Sequence, residues 1–329
     1  MTDPRALERL PMTMGYFRLI LRCFADTPQG RRAFLEGTGV SENQLRDPGA
    51  EITLFQQVRQ IENVSRELGE GWALTAPELW HHSSHGALGT AALTSPTLGA
   101  GLKVLERYSR VRGPYYRIII RAGKQSLTLR FEFTAALEQT QWLPMTEVAF
   151  MGIRSLVEAM IGRPPREAKF CFACKEPDYA ERVRAALGGE VRYGGSLCAV
   201  AIPGQWLAIE SPYADPGLHT TALAELERAL KRLDSPLELS SRVEQLLHTM
   251  PDGRLSADDA ARAVGVSRRT LVRRLSDANE NFRDLLDAEL KRRAARLLKT
   301  ATLSHAEIAE RLGYGDATSF SRACRRWFR

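Results

Sequence analysis

Two stretches near the carboxy end decide the fold. The first is Ala261-Arg-Ala-Val-Gly265, followed by Ser267-Arg-Arg-Thr-Leu-Val-Arg-Arg-Leu275. The second is Ala309-Glu-Arg-Leu-Gly313, followed by Asp316-Ala-Thr-Ser-Phe-Ser-Arg-Ala-Cys324. The leading segments align at an offset of 48 residues and the trailing ones at 49, with one residue inserted in the turn. A short helix, a tight turn containing glycine and a second helix make a helix-turn-helix unit, so the spacing predicts two such units in the last ~75 residues.

Local signals agree within each unit. Ser256 precedes the first helix of unit one with Asp259 at the reciprocal position, and Ser304 with Glu307 makes a full capping box in unit two. Ser267 and Asp316 are placed to cap the second helices. The helical period groups Leu271, Val272 and Leu275 on one side, with Arg269 and Arg273 opposite and Thr270 flanking them. In unit two it groups Ala317, Phe320, Cys324 and Trp327, with Thr318, Arg322, Arg325 and Arg326 opposite. An arginine fork suits guanine O6 and N7 in the major groove and also neutralises phosphate. Arg269, Arg273, Thr318 and Arg322 are the expected base-side residues, and Arg268, Arg325 and Arg326 the expected phosphate contacts. Ser267, Thr270 and Ser319 complete the expected contact set. The competing reading is a solvated basic face on an ordinary helical bundle; two such helices in register, each capped, weigh against it.

Between the units, Phe282–Lys299 reads as one helix of about 27 Å at 1.5 Å per residue. That length suits two recognition helices about one DNA turn apart. Its run Lys291, Arg292, Arg293 and Arg296 reads as a solvated face that touches phosphate at most.

Charge follows the same division. The chain of 329 residues has a formal charge of +7. Residues 236–329 hold 18 Lys and Arg against 13 Asp and Glu, whereas residues 1–235 hold 28 against 26. The excess sits where a nucleic-acid partner is expected. No run of about 18 apolar residues occurs, so no membrane span is expected. The first 25 residues lack an apolar signal region, and a cytoplasmic location is expected.

Upstream, residues 12–110 read mostly as helix, including a segment from about Ile52 to Leu68 and another after Thr97, capped by Ser95 or Thr97 with Pro96 nearby. The pattern changes at Tyr115. Tyr116–Arg121 and Leu127–Phe133 alternate as a hairpin, followed by a helix from about Met145 to Ile161, a strand near Ala168–Cys174, a short helix near Asp178–Leu187, and strands near Val191–Tyr193 and Leu197–Ile202. The expected architecture is an α/β (α+β) amino-terminal domain over 1–210, a linker with a connecting helix over 211–240, and an all-α double helix-turn-helix domain over 241–329. The connecting helix is also a place for a dimer contact.

Other features carry less chemistry. Cys171 and Cys174 form a C-x-x-C, but positions three apart on a strand face opposite ways and no second pair completes a metal set. His81, His82 and His85 form H-H-x-x-H, read either as a metal site or, for want of nearby ligands besides Glu78, as a loop lining a pocket. Trp72, Trp80, Trp142 and Trp206 are candidates for an apolar pocket or for core. No phosphate-binding, dinucleotide or hydrolase motif occurs. No enzyme activity, cofactor or metal is expected; the alternative of an alkyltransferase- or amidase-like domain fused to the DNA-binding module lacks a nucleophile in context.

The segments Ser267–Leu275 and Glu307–Phe328 resemble the AraC/XylS family of bacterial transcription regulators, over about residues 254–328. Two departures are visible: Cys324 stands where the family usually has Phe, and the sequence stops at Arg329 where the family continues through a Pro-containing turn to a final helix. Gly86-Ala-Leu-Gly-Thr-Ala-Ala-Leu-Thr-Ser-Pro-Thr-Leu98 and the hairpin after it resemble the α/β, non-cupin amino-terminal domain of one branch of that family. The resemblance implies double-stranded promoter DNA as partner, a small-molecule effector bound by the amino-terminal domain, a homodimer and contact with RNA polymerase. It points to no pocket residues, and arabinose need not be the effector.

Overall fold

The computed structural model describes residues 11–134, 137–234, 236–249, 252–299 and 303–328. These form two compact units, one spanning Pro11–Lys231 and the other beginning at Arg232. Ser235 and the first ten residues, part of the expected linker and amino-terminal domain, lie outside the described residues.

The first unit is built on a five-stranded sheet. Its strands are β3 (Tyr116–Ala122), β4 (Ser126–Phe133), β5 (Lys169–Cys171), β6 (Glu190–Arg192) and β7 (Cys198–Pro203), in the order β3-β4-β7-β5-β6. Only β5 and β6 pair in parallel. On β4, Leu127, Leu129 and Phe131 are buried and Arg130 and Glu132 exposed, the alternation of a strand with one face inward. Val200 of β7 and Phe170 of β5 extend the same core. Across it lies the helix Gln139–Ile161, whose Phe150 ring meets Phe131, Phe170 and Phe172 at 5.3, 5.9 and 4.8 Å.

That helix starts six residues earlier than its expected beginning at Met145. Glu138 and Gln141 form a reciprocal cap, and Pro144 lies inside the helix. So close to the amino end a proline forfeits a single hydrogen bond, which the burial of the helix outweighs. A second departure is a two-stranded ribbon, β1 (Pro11–Thr13) with β2 (Glu51–Thr53). Ile52, expected to open a helix, pairs with Met12, and Thr53 caps the helix Leu54–Leu68 through Gln56. Thr97, not Ser95, caps Leu98–Arg112; the Ser95 hydroxyl donates to the Ala91 carbonyl instead. The helix Pro216–Asp234, expected as a connector, docks on the first unit: Glu227 accepts hydrogen bonds from Arg107 and Tyr108, each at 2.6 Å.

The described part of the second unit is helical: Pro236–Thr249, Ala257–Ala263, Arg268–Asp277, Phe282–Lys299, His305–Arg311 and Ala317–Trp327.

One buried carboxyl sets a pH dependence. Glu147, on the long helix of the first unit, is 2% exposed. Tyr179 donates to its Oε1 at 2.9 Å, and Oε2 has no hydrogen-bond partner among the described residues. Burial raises its pKa from 4.5 to about 7, with Glu70 adding to the rise and Arg182 and the Tyr179 bond opposing it. The folded chain therefore binds a proton that the unfolded chain releases between those values. Stability falls as pH rises through that window, and the loss is complete above it. Glu147→Gln keeps the acceptor for Tyr179 and removes the titration. It is expected to raise the unfolding free energy at pH 8 by on the order of 2–3 kcal/mol, and far less near pH 5. Urea unfolding of both proteins at the two pH values checks this; an equal effect at both would contradict it.

Candidate nucleic-acid interface and the cavity of the first unit

In the second unit the caps form as the sequence predicts. Ser256, Ser267, Ser304 and Asp316 accept from the backbone N–H groups of Asp259, Thr270, Glu307 and Ser319. Both turns use a left-handed glycine, Gly265 at φ 72° and Gly313 at φ 73°. At Gly313 a side chain would also meet the Arg254 backbone nitrogen at 2.8 Å.

The inward faces differ from the expected ones at two places. Leu271 and Leu275 are buried, but Val272 is 54% exposed and lies on the outer side of Arg268–Asp277. In Ala317–Trp327 the buried stripe is Phe320, Ala323 and Trp327, with Cys324 half-buried, and Ala317 is exposed at the first turn. Both follow from the 3.6-residue period: the stripe turns away from Val272, and Ala317 precedes the turn that meets the core.

What remains outside is basic. Arg269, Arg273, Arg322 and Arg325 are exposed and make no ion pair or hydrogen bond among the described residues. Thr318 is exposed beside Arg322. Other members of the expected set are engaged. Arg268 pairs with Asp258 at 3.0 Å, and Arg326 with Asp287 at 2.5 Å. The Ser267 hydroxyl meets that of Thr270 at 2.9 Å, and the Ser319 hydroxyl donates to Asp316. Val272 is the residue the sequence reading missed: an apolar side chain among free arginines is the type that contacts a thymine methyl.

On the long helix Phe282–Lys299 the basic run is solvated at Lys291, Arg292 and Arg296, as expected, but not at Arg293. Leu290 and Ala294 are fully buried against Ile308, Leu312, Phe320 and Trp327 of the second helix-turn-helix. The Trp327 indole donates to Asp287 at 2.7 Å. Arg293 is 3% exposed. It donates to Glu289 Oε1 at 2.7 Å, to the Leu247 carbonyl and to the Gly253 carbonyl. Arg292 makes a two-pronged contact with the same Glu289 at 2.7 and 2.8 Å. The Gly253 N–H in turn donates to the Arg311 carbonyl, and Arg254 stacks on Tyr314.

The first unit contains a partly open cavity of about 100 Å³. Its wall includes Trp72, while Trp80, Trp142 and Trp206 are not part of it. His82 and His85 line it from a turn of 3₁₀ helix, His82–His85. That turn is packed against the helix Ala87–Leu93 so closely that a Cβ at Gly89 would lie 1.9 Å from the His82 carbonyl. The Tyr16 hydroxyl meets His85 Nδ1 at 2.5 Å, and Arg112 lies over the Tyr16 ring at 4.6 Å. Burial, assisted by the charge of Arg112, lowers the His85 pKa to about 4, so the ring is neutral near pH 7. Among the described residues no cluster of His, Cys, Asp and Glu is arranged to hold a metal. Cys174 is buried, which raises its thiol pKa to about 11, and its partner Cys171 lies at the end of β5. No described helix is long and apolar enough to cross a membrane.

Paired helix-turn-helix units joined to an α/β domain define a DNA-binding regulator with a separate amino-terminal module. Residues 30–210 match the arabinose-binding amino-terminal domain of AraC transcription regulators, and residues 260–329 match a helix-turn-helix domain. The chain belongs to the AraC family of DNA-binding transcription regulators. It is similar to the ornithine utilization regulator of Pseudomonas aeruginosa, 26% identical over 325 residues that cover 95% of this chain and 93% of that protein. It is also similar to the transcriptional regulator VirS of Mycobacterium tuberculosis, 28% identical over 326 residues, covering 98% and 94%. A crystal structure of the transcriptional regulator CdpR from Pseudomonas aeruginosa is 23% identical, covers 81% of this chain and 88% of that one, and superposes with a TM-score of 0.43.

Removing Arg293 leaves Glu289 without its most enclosed partner and frees two backbone carbonyls. Arg293→Ala is expected to cost about 3–5 kcal/mol of stability in the second unit. Arg292→Ala, at a more exposed site, should cost about 1 kcal/mol or less. Denaturant unfolding of the two variants checks the ranking, which reversal would refute.

Proposed function

We propose that the protein regulates transcription by reading specific promoter sequences through the outer faces of Arg268–Asp277 and Ala317–Trp327, under control of a small molecule held in the first unit. The observation that carries the proposal is the pair of capped helices presenting Arg269, Arg273 and Arg322, exposed and without an ion pair or hydrogen bond among the described residues. Such helices enter the major groove in helix-turn-helix proteins. Arg269, Arg273, Arg322 and Thr318 read base edges, with Val272 against a thymine methyl. Arg325 grips phosphate, and Arg268 and Arg326 face phosphate while tethered by Asp258 and Asp287. Ser267, Thr270 and Ser319 hold the helix starts, where backbone N–H groups also face phosphate. The protein acts as a cytoplasmic homodimer, and effector binding shifts its balance between states that differ in affinity for DNA or for RNA polymerase.

Selection from a randomised duplex pool at about 0.15 M salt tests the core of this reading. An enriched motif bound about 10³-fold or more above random duplex is expected; no enrichment would overturn it. On the selected site, Arg273→Ala and Arg322→Ala should each cost about 1–3 kcal/mol and relax preference at one position. Arg325→Ala should weaken all duplexes alike and lower the salt slope by about one. Val272→Ala should reduce discrimination at a single thymine by about 1 kcal/mol without altering the melting temperature. Filter binding on matched and substituted duplexes measures all four.

A further inference from the structure

We propose that the four residues Gly253–Ser256 act as a strap that locks the two helix-turn-helix units into one rigid reader. Arg254 is its positioning residue, and it makes the protein accept a single spacing between the two groups of bases it reads. The proposal rests on the reading that both outer faces read DNA, and adds what sets the distance between them.

The apolar core of the second helix-turn-helix does not set that distance. It draws Leu290 and Ala294 from the long helix, and Ile308, Leu312, Phe320 and Trp327 from the second helix-turn-helix itself. Among the described residues, none of its members comes from Ala257–Ala263 or Arg268–Asp277. That core therefore does not itself fix the first reading helix relative to the second.

The strap attaches in order to the two sides. The Gly253 N–H donates to the Arg311 carbonyl at 2.6 Å, and so uses one of the acceptors left over at the end of His305–Arg311. The Arg254 guanidinium lies over the Tyr314 ring at 4.8 Å. That ring stands 5.7 Å from Phe320 and 6.4 Å from Trp327, both on the reading helix Ala317–Trp327. Leu255, next along, is buried, and Ser256 caps Ala257–Ala263, the first helix of the first helix-turn-helix. Two residues of chain, at most about 7 Å, thus separate a contact on one reader from the cap of the other. The turn of the second helix-turn-helix is shaped to receive the strap: a Cβ on Gly313 would lie 2.8 Å from the Arg254 nitrogen and 3.1 Å from the Gly253 carbonyl carbon. From the long helix, Arg293 donates to the Gly253 carbonyl at 3.4 Å, so Gly253 is held on both its polar groups.

Meeting two groups of bases at a wrong spacing requires this seam to open, and the stack of Arg254 on Tyr314 must then break. A cation stacked on a ring at an exposed site is worth about two- to fivefold in an equilibrium. Removing it eases opening by that factor without touching a base contact. The matched spacing leaves the seam closed and gains nothing from the change.

The test uses the full chain, the duplex enriched from the randomised pool, and a second duplex with one base pair inserted between its two groups of bases. The insertion separates the groups by about 3.4 Å more and turns them by about 35°. Filter binding at about 0.15 M salt gives, for each protein, the ratio of the two affinities, from which any loss of active protein cancels. The unsubstituted chain should bind the inserted duplex on the order of tenfold or more weaker. Arg254→Ala should shrink that ratio by about two- to fivefold while holding the matched duplex nearly as well and with the same salt slope. Tyr314→Phe, which keeps the ring, should leave the ratio where it was. If Arg254→Ala weakens both duplexes alike and lowers the salt slope by about one, Arg254 is a phosphate contact and the proposal is overturned. An unchanged ratio in Arg254→Ala overturns it as well. An enriched motif with a single group of bases overturns the fixed spacing while DNA reading stands, and no enriched motif overturns both.

Discussion

Arg293 is a guanidinium taken out of water in a run, Lys291, Arg292, Arg293 and Arg296, that reads as a solvated face. Such a group is tolerated only if its charge is matched and its N–H donors are used. Glu289 supplies the charge from one turn earlier, and the carbonyls of Leu247 and Gly253 take the remaining donors. The helix Pro236–Thr249, the loop at Gly253 and the long helix are therefore tied at one point. The loop passes the constraint on, since its Gly253 N–H bonds the end of His305–Arg311. Leu290 and Ala294, on the same helix, are buried with the core of the second helix-turn-helix. Two helix-turn-helix units can meet one duplex together only at a fixed separation, because the groove recurs at a fixed repeat. A buried pair with several directional bonds holds that separation better than apolar contact alone, which tolerates sliding.

The first unit solves a different problem with similar means. Its cavity is kept open by aromatic and aliphatic walls, yet its few polar atoms have set positions. The turn His82–His85 is clamped by the close approach at Gly89, and Tyr16 and Arg112 hold His85 from behind. Among the described residues the lining of the cavity includes no Asp, Glu, Lys or Arg.

Much of this was legible in the sequence. Caps and turns depend on residues three or four positions apart, so Ser256, Ser267, Ser304 and Asp316, with Gly265 and Gly313, sufficed to lay out both helix-turn-helix units and to put Arg269, Arg273 and Arg322 outside. The hairpin of β3 and β4 was equally plain from its alternation, and the carboxy-terminal charge excess pointed to nucleic acid.

What the sequence left open depended on contacts between distant segments. Nothing near Arg293 indicates that Leu247 and Gly253 lie above it, so a buried charge reads as a solvated one. Val272 looks like core until the packing of Leu271 and Leu275 turns it outward. The turn His82–His85, Gln57 and Trp72 come from three separate elements, and only their convergence makes a cavity. The sequence by itself determined that this chain reads DNA, because that signal is local: caps, turns and helical period. The tertiary structure alone decided which arginine is spent on architecture and which side chains converge on the cavity of the first unit, because burial belongs to the whole fold and not to any one segment.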